Sequence, residues 1–229
     1  MKSRNDVNKI TDVNNPYICY FLGFLWGDGY LQNTDKNPNR ISIEILSKDF
    51  NVLLPIFESI LKFSTTHRTR KNRQPQSSMI FSSKYFYQYL VSHGYENRSL
   101  SHYNICKNIP IKNIHYWIRG LFDADGCIYT NHDNHCYQFS ICSEYEQDWS
   151  FINILLTENN INQKILRRTQ GKNKHSVIRG TGKQNCFNLF KFLYPNQIYD
   201  FGLKRKFDKF IKLKDTSNLK QIHHNSVVS

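Results

Sequence analysis

The sequence predicts an α+β protein with two similar halves, each arranged as helix, two strands, helix, two strands and helix. The first observation is an apolar phrase that ends in Asp-Gly and occurs twice, at Phe21–Gly29 and at Ile118–Gly126. The second is the alternation of apolar and polar residues after each copy, which is typical of half-buried strands. The third is the offset between matching features, which stays between about 96 and 99 residues. Together they predict a duplicated fold.

The first phrase lies in a predicted helix that begins after Asn15. Asparagine is a favoured N-cap, and Pro16 suits the first helical position because its missing N–H would have no partner there. Apolar residues then run from Tyr17 to Trp26. Gly29 predicts a left-handed residue at the C-terminal end of this helix.

Small residues recur four apart on both predicted helices, at Gly23 and Gly27 in the first and at Gly120 and Ala124 in the second. Residues at this spacing lie on one helical face. Glycine inside a helix costs up to about 1 kcal/mol relative to alanine, and close backbone approach is a usual reason to tolerate it. We therefore expect the two helices to pack through these strips and to bring their terminal aspartates side by side.

The two terminal aspartates, Asp28 and Asp125, are 97 residues apart in the sequence. Paired carboxylates repel each other, and the helix macrodipole disfavours negative charge at a C-terminal end. A divalent cation removes both conflicts, and Mg²⁺ is typically held by one or two protein carboxylates together with phosphate and water. Carboxylates that hold metal ions against a scissile phosphate are a recognised arrangement for phosphodiester hydrolysis. The pair therefore predicts Mg²⁺ as the cofactor, with Mn²⁺ or Ca²⁺ able to substitute in binding.

The remaining elements follow in the same order in both halves. Along the first long strand, Ile41, Ile43 and Ile45 alternate with Arg40, Ser42 and Glu44; the counterpart alternates Tyr137, Phe139 and Ile141 with Gln138, Ser140 and Cys142. The other elements predicted in the first half are a helix near Asn51–Leu61, strands at Thr65–Arg70 and Ser78–Ser82, and a helix at Phe86–Ser92. Their counterparts are Asp148–Thr157, Gln163–Arg168, Ser176–Arg179 and Asn185–Tyr194. A basic helix is predicted over Lys204–Lys214.

This order divides the chain into a first half at 1–106, a linker at 107–114, a second half at 115–214 and a loose tail at 215–229. The join falls in the polar stretch Ser101–Asn113, which contains Pro110. Because each half alone would be a small module, we expect the two halves to pack through their motif helices as one body.

Both phrases resemble the LAGLIDADG motif of homing endonucleases, in the form that carries two motifs in one chain. The second copy matches closely, and the first departs from the family by having Trp26 where an acid is common. The metal-binding acid of the family is the later one, which matches Asp28 and Asp125. The resemblance extends over nearly the whole chain. It implies two pseudo-symmetric αββαββα half-domains packed through their motif helices, with antiparallel sheets that form a DNA-binding saddle.

The resemblance also implies metal contacts from the backbone carbonyls of Gly27 and Ala124. Lys84 and Lys183 correspond to each other under the repeat, and both precede the last helix of their half. A lysine near the scissile phosphate can stabilise developing charge or help to activate water, and members of the family place a basic residue near this position. The candidate catalytic residues are therefore Asp28, Asp125, Lys84 and Lys183.

Basic residues are concentrated in two tracts. The formal net charge is +13, and no acid occurs between Glu58 and Glu96 or between Glu158 and Asp200. Both tracts cover the second strand pair of their half, so the positive charge is duplicated with the fold. This placement predicts a nucleic-acid partner, which we take to be double-stranded DNA.

A strand pair can enter the major groove and present alternate side chains to base edges. The residues predicted to face the bases are Arg40, Ser42, Glu44, Gln138 and Ser140. The loops Lys71–Arg73 and Lys172–Lys174 are expected to hold phosphates, which fix register without reading sequence. The other residues assigned to DNA are Arg68, Arg70, Lys164, Arg168 and Arg179.

The sequence therefore predicts a monomeric, metal-dependent endonuclease that makes a double-strand break at a long, near-asymmetric DNA site. An intron maturase that binds intron RNA on the same scaffold is the main alternative, and a DNA-binding regulator without cleavage is a second one. The chain has no signal peptide and no transmembrane run, and its six cysteines form no Cys-x-x-Cys pair. Scattered thiols of this kind indicate a reducing intracellular compartment. Without an apolar run, we expect no membrane partner.

Overall fold

Two helices that carry the repeated phrase lie side by side at the centre of the molecule. The computed structural model describes residues 9–69, 71–72, 74–97, 101–131, 135–170 and 173–213. Helix α1 is Pro16–Asp28 and helix α5 is Ile114–Asp125. As predicted, Asn15 caps α1, and its side chain accepts a hydrogen bond of 2.9 Å from the Tyr17 amide.

The glycine strips bring the two helix backbones into contact. A Cβ atom placed on Gly23 would lie 1.9 Å from the carbonyl oxygen of Trp117. In the same way, a Cβ atom on Gly120 would lie 2.0 Å from the carbonyl oxygen of Tyr20. No larger residue fits at either position at this separation, which confirms the predicted packing of the two helices.

The prediction of a left-handed residue at Gly29 is wrong. Gly29 is extended, with φ −76° and ψ 147°, and Gly126 at the end of α5 is extended in the same way. Glycine is needed there for space, because a Cβ atom on Gly29 would lie 2.2 Å from the carbonyl oxygen of Leu25. Each helix therefore runs directly into the first strand of its sheet.

Each half contains one antiparallel sheet of four strands. The first sheet has the order β1-β2-β4-β3, and the second has the matching order β5-β6-β8-β7. The strands of the first sheet are β1 (Gly29–Gln32), β2 (Arg40–Leu46), β3 (Ser64–Arg68) and β4 (Gln76–Ser82). Those of the second are β5 (Gly126–Asn131), β6 (Cys136–Glu144), β7 (Lys164–Gln170) and β8 (Asn173–Thr181). The identical strand orders confirm the predicted duplication.

Each sheet has one buried face and one open face. Ile41 and Ile43 in β2 are fully buried, as are Phe139 and Ile141 in β6. Their alternate neighbours are half-buried or exposed, as the period-2 pattern predicts. The apolar face of each sheet packs under the helices, and the polar face is turned away from the core.

Further helices cover the buried faces of the sheets and connect the halves. They are α2 (Ser47–Glu58), α3 (Lys84–Ser92), α4 (Tyr103–Cys106), α6 (Ser150–Glu158), α7 (Lys183–Leu193) and α8 (residues 204–213), with a 3-10 turn at Ile111–Asn113. Helix α2 begins earlier than predicted because β2 runs into it without a loop, and Ser47 at its start hydrogen-bonds Ser77 of β4 at 2.8 Å. The stretch predicted as the join contains α4 and the 3-10 turn.

Helix α8 connects the two halves. Arg205 donates two hydrogen bonds, of 2.8 and 2.7 Å, to the carboxylate of Asp49 in α2. The loose tail predicted at 215–229 lies outside the described residues. Within the described ranges, no helix has both the length and the apolarity that crossing a bilayer requires.

Candidate functional site

Asp28 and Asp125 end the two motif helices and meet where these helices cross. Both side chains are half-buried. A Cβ atom on Gly27 would lie 2.8 Å from the Oδ2 atom of Asp125 and 2.5 Å from the Cβ atom of Ala124. The Asp125 carboxylate therefore occupies the space that a side chain at Gly27 would fill, next to Asp28. The structure therefore brings the ends of the two motif helices, with Gly27, Asp28, Ala124 and Asp125, to one place.

A buried lysine lies behind this pair. The Lys206 ammonium donates to the carbonyl oxygens of Phe122, Asp123 and Gly126, at 2.5, 2.7 and 2.8 Å. Burial lowers the pKa of Lys206 to about 8, and the nearby carboxylates of Asp123 and Asp28 oppose this shift. A cation at these carbonyls complements the negative end of the α5 dipole. Lys206 therefore fixes the turn that carries Asp125 and offsets part of the charge of the acidic pair.

The two motifs differ at the position two residues before the terminal aspartate. In the second motif, Asp123 is buried and its Oδ2 atom accepts hydrogen bonds from the Tyr20 hydroxyl at 2.7 Å and the Leu203 amide at 2.8 Å. Burial raises the pKa of this carboxyl group. The first motif has Trp26 instead, and its ring packs against the ring of His102 at a centroid distance of 4.9 Å. The acid that the first motif lacks is thus a structural residue of the second.

The open faces of the sheets carry the side chains predicted to read DNA. In the first sheet, Arg40, Ser42 and Glu44 lie on the face opposite the buried isoleucines. In the second sheet, Gln138 and Ser140 have the equivalent position. Residues that pair directly across strands lie on the same face of a sheet. Pairing therefore places Arg68, the partner of Gln76, on the open face of the first sheet. It places Lys164, Arg179 and Arg168 on the open face of the second sheet. Both faces begin at the strands that follow the two aspartates.

The same arrangement of helices and sheets is found in solved structures of LAGLIDADG meganucleases. I-AabMI, solved bound to uncleaved DNA, matches with a TM-score of 0.58 at 16% identity, over 90% of this chain and 92% of that chain. I-SmaMI, solved bound to an uncleaved DNA target in the presence of calcium ions, matches with a TM-score of 0.52 at 12% identity, over 92% of each chain. This chain has the LAGLIDADG fold.

A further structure with this fold is also similar. Full-length DUF199/WhiA from Thermatoga maritima matches with a TM-score of 0.55 at 15% identity, over 98% of this chain and 72% of that chain. No sequence-family model and no curated protein sequence matches this chain at a significant level. At these identities the comparisons establish the LAGLIDADG fold alone.

The donor chemistry of the acidic pair fits a hard divalent cation. The two carboxylates, with the backbone carbonyls of Gly27 and Ala124 that the family resemblance implies, would form an all-oxygen set of the kind that Mg²⁺ prefers. In the described part of the chain, no cluster of three or more His, Cys, Asp and Glu side chains could hold a metal ion. An ion at the LAGLIDADG pair would therefore take its remaining ligands from water and from a phosphate.

In each LAGLIDADG half, a predicted catalytic lysine begins the helix that follows the second strand pair. Lys84 and Lys183 are the first residues of α3 and α7, where Lys84 is exposed and Lys183 is half-buried. Gly29, directly after Asp28, pairs with Ile43, which pairs in turn with Met79, so these three residues form one row across the sheet. Lys84 lies five residues beyond Met79. Lys183 has the same relation to the row of Gly126. The register therefore places both lysines at the sheet ends away from the aspartates, on the order of 10 Å along the strands.

The basic loops differ in part from the prediction. Lys71 is exposed in the turn between β3 and β4. Lys174 lies in β8 rather than in a loop, because β7 and β8 stay paired as far as the turn. Its ammonium is 5.9 Å from the ring centroid of Tyr145. The next residue, His175, is on the open face of the sheet, so the side chain of Lys174 lies on the opposite face. Arg70, Arg73 and Lys172 are outside the described residues.

Lys206 is the site residue that the sequence interpretation missed. The sequence predicts Lys206 only as one cation of the basic helix Lys204–Lys214. A lysine at position 206 lies one turn from Leu203 and one turn from Phe210, on the buried face of the helix. A cation within an apolar stripe is the signal that could have identified it.

Proposed function

We propose that this chain is a homing-type DNA endonuclease that makes a metal-dependent double-strand break at a long, near-asymmetric site. The meeting of Asp28 and Asp125 at the crossing of the two motif helices carries this proposal. The position lies between two sheets whose polar faces are open. A metal centre with one carboxylate from each half can cleave both strands of a duplex.

Four groups would hold the cation: the carboxylates of Asp28 and Asp125 and the backbone carbonyls of Gly27 and Ala124. When bound, Mg²⁺ supplies Lewis-acid polarisation of the scissile phosphate and lowers the pKa of water. The protein's own part is orientation. The Asp125 carboxylate is held over Gly27, and Lys206 fixes the carbonyls on both sides of the Ala124–Asp125 peptide. A calcium complex of the structurally similar I-SmaMI supports divalent-ion use at this fold.

The sequence predicts Lys84 and Lys183 as catalytic residues near the scissile phosphate. Because the strand register places both lysines at the sheet ends away from the aspartates, we propose instead that they stabilise charge on phosphates there. Each lies two residues beyond the end of the last strand of its half, at the same place in both halves. A cation there acts on a phosphate that the DNA brings to it. Lys206 differs from both because its ammonium is buried and already makes three hydrogen bonds.

Double-stranded DNA is the proposed partner, because I-AabMI and I-SmaMI were solved on DNA targets and both open faces of this chain carry basic and amide side chains. The side chains proposed to contact DNA include Arg40, Ser42, Glu44, Arg68, Lys71, Gln138, Ser140, Lys164, Arg168, Lys174 and Arg179. We propose that the protein acts as a monomer with halves at 1–106 and 115–214, since one chain contains both motifs. Its six free thiols fit a reducing compartment inside the cell.

The test is a search for a unique break. Purified protein and Mg²⁺ would be incubated with DNA that lacks the gene and is joined across its insertion point, and with a genomic pool, and the new ends would be mapped by sequencing. We expect one site, and no cleavage by the double variant Asp28→Asn, Asp125→Asn. The control Asp35→Asn, an exposed acid between β1 and β2, should cut as the wild type does.

Failure to cut either substrate, together with tight binding to intron RNA that persists in the double aspartate variant, would favour the maturase. Binding to duplex DNA without a break under any divalent ion would favour a regulator. Either result would overturn the endonuclease proposal.

A further inference from the structure

The registers of the two sheets allow the halves to be compared residue by residue. Gly29 pairs with Ile43, and Gly126 pairs with Ile141, at equivalent positions directly after the terminal aspartates. The next row on the open face of the first sheet is Tyr30, Ser42, Ile80 and Ser64. The equivalent row of the second sheet is Cys127, Ser140, Arg179 and Lys164. In this row, strands β4 and β3 of the first sheet carry two uncharged side chains, Ile80 and Ser64. The equivalent strands β8 and β7 of the second sheet carry two cations, Arg179 and Lys164.

Lys164 and Arg179 are direct partners across β7 and β8. Directly opposed side chains have Cβ atoms about 5 Å apart, and like charges at this spacing destabilise a sheet. Neither residue takes part in a salt bridge within the described part of the chain. Lys164 is exposed and Arg179 is half-buried, which matches the exposure of Ser64 and Ile80. An anion between the two cations would remove the repulsion.

The position of the pair identifies the kind of anion. Strands β8 and β7 lie two and three strands from β5 in the sheet, or roughly 10 to 14 Å from the strand that follows Asp125. A phosphate at this distance is separate from the one at the acidic pair. A duplex that spans the acidic centre and the open face would present such a backbone phosphate.

We infer that Lys164 and Arg179 form a phosphate clamp that makes the C-terminal half the primary DNA-binding half of this protein. The matching Ser64 and Ile80 leave the N-terminal half without this clamp. The inference rests on the proposed DNA-binding function. It adds an asymmetry to binding, in which the C-terminal half contributes more phosphate contacts than the N-terminal half.

Exchange of the matched residues tests the clamp. The first variant, Lys164→Ser with Arg179→Ile, gives the C-terminal row the residues of the N-terminal one. We expect its Kd for a random-sequence duplex in Ca²⁺ to rise by roughly tenfold or more, and the slope of log Kd against log salt to fall by about 1.8, for two lost phosphate contacts. Adding Ser64→Lys and Ile80→Arg to this variant should restore most of the affinity, because the clamp is then present in the other half.

The matched control is Lys107→Ser with Lys112→Ile, which removes the same charge from two exposed lysines between α4 and α5. These lysines lie near the N-terminal end of α5, whereas Asp125 lies at its C-terminal end. Equal losses of affinity in the control and in the first variant would overturn the clamp, because net charge alone would then explain binding. Failure of the transplanted pair to restore affinity, with unchanged circular dichroism and melting temperature, would also overturn it. Absence of duplex binding by the wild type would instead contradict the proposed function.

Discussion

At the scale of single residues, the glycines of the motif helices set the distance between the halves. Sequence spacing was enough to predict their shared face, because residues four apart align on any helix. The role of Gly29 was not predictable in the same way, since a glycine that ends a helix usually indicates a left-handed residue. A Cβ atom on Gly29 would lie 2.2 Å from the carbonyl oxygen of Leu25, because the helix continues directly into a strand.

Gly23→Ala should destabilise the protein by about 3 kcal/mol. The new Cβ atom would lie 1.9 Å from a backbone carbonyl oxygen of Trp117, and relief requires the two buried helices to move apart. Urea unfolding would measure the loss. Gln88→Ala is the control, because Gln88 is exposed within helix α3, so its replacement should cost about 0.5 kcal/mol or less. Equal losses in the two variants would contradict the packing account.

Acid should destabilise the protein through two histidines, of which His102 is buried and His115 is half-buried. Burial lowers the pKa of His102 to about 3, and burial and the nearby Arg119 lower that of His115 to about 4. Below pH about 6.5 the unfolded chain binds protons at these rings and the folded chain does not, so stability falls as the pH falls toward these values. For His102 the expected slope is about 1.4 kcal/mol per pH unit.

The variant His102→Phe isolates this contribution. It keeps a ring between Trp26, Trp117 and Trp149, whose rings lie within 6 Å of the His102 ring centroid, and it removes the titrating group. Urea unfolding between pH 7 and pH 4 should give a flatter profile than the wild type gives. Parallel profiles would show that His102 titrates normally in the folded state.

At the scale of secondary-structure elements, α8 connects both halves to the end of α5. Arg205 binds Asp49 of the first half, and Lys206 binds three carbonyls of the second. The element order could be predicted from the sequence because it depends on local periodicity and on the repeat. The contacts of α8 could not, since the partners of Lys206 lie 80 to 84 residues away along the chain.

Lys206→Met should lower the free energy of unfolding by about 3 kcal/mol, because the end of α5 loses its cation and three carbonyls lose their donor. Lys209→Met, one turn further along the helix, is the matched control. Lys209 is exposed and donates a single hydrogen bond of 3.2 Å to the carbonyl of Ile128, so its loss should cost about 0.5 kcal/mol or less. The two losses would be compared by thermal unfolding. Similar losses would show that the buried Lys206 ammonium stabilises the protein no more than the exposed Lys209 does.

At the scale of the whole molecule, pseudo-symmetry places two similar halves around one acidic pair. The pair was predictable because a duplicated motif repeats its acid at the same place. The differences between the halves were less accessible to sequence reasoning. The contrast between Lys164 with Arg179 and Ser64 with Ile80 depends on strand register, which alternation alone does not fix.

The most direct test of the shared centre is strand-resolved cleavage of the mapped target, with each strand labelled separately. Because both acids are proposed to hold the same metal site, Asp28→Asn and Asp125→Asn should each slow the cutting of both strands by roughly 100-fold or more. Duplex binding in Ca²⁺ would be measured alongside, to separate chemistry from affinity. A single variant that still cuts one strand at the wild-type rate would contradict the account, because the halves would then act as independent sites.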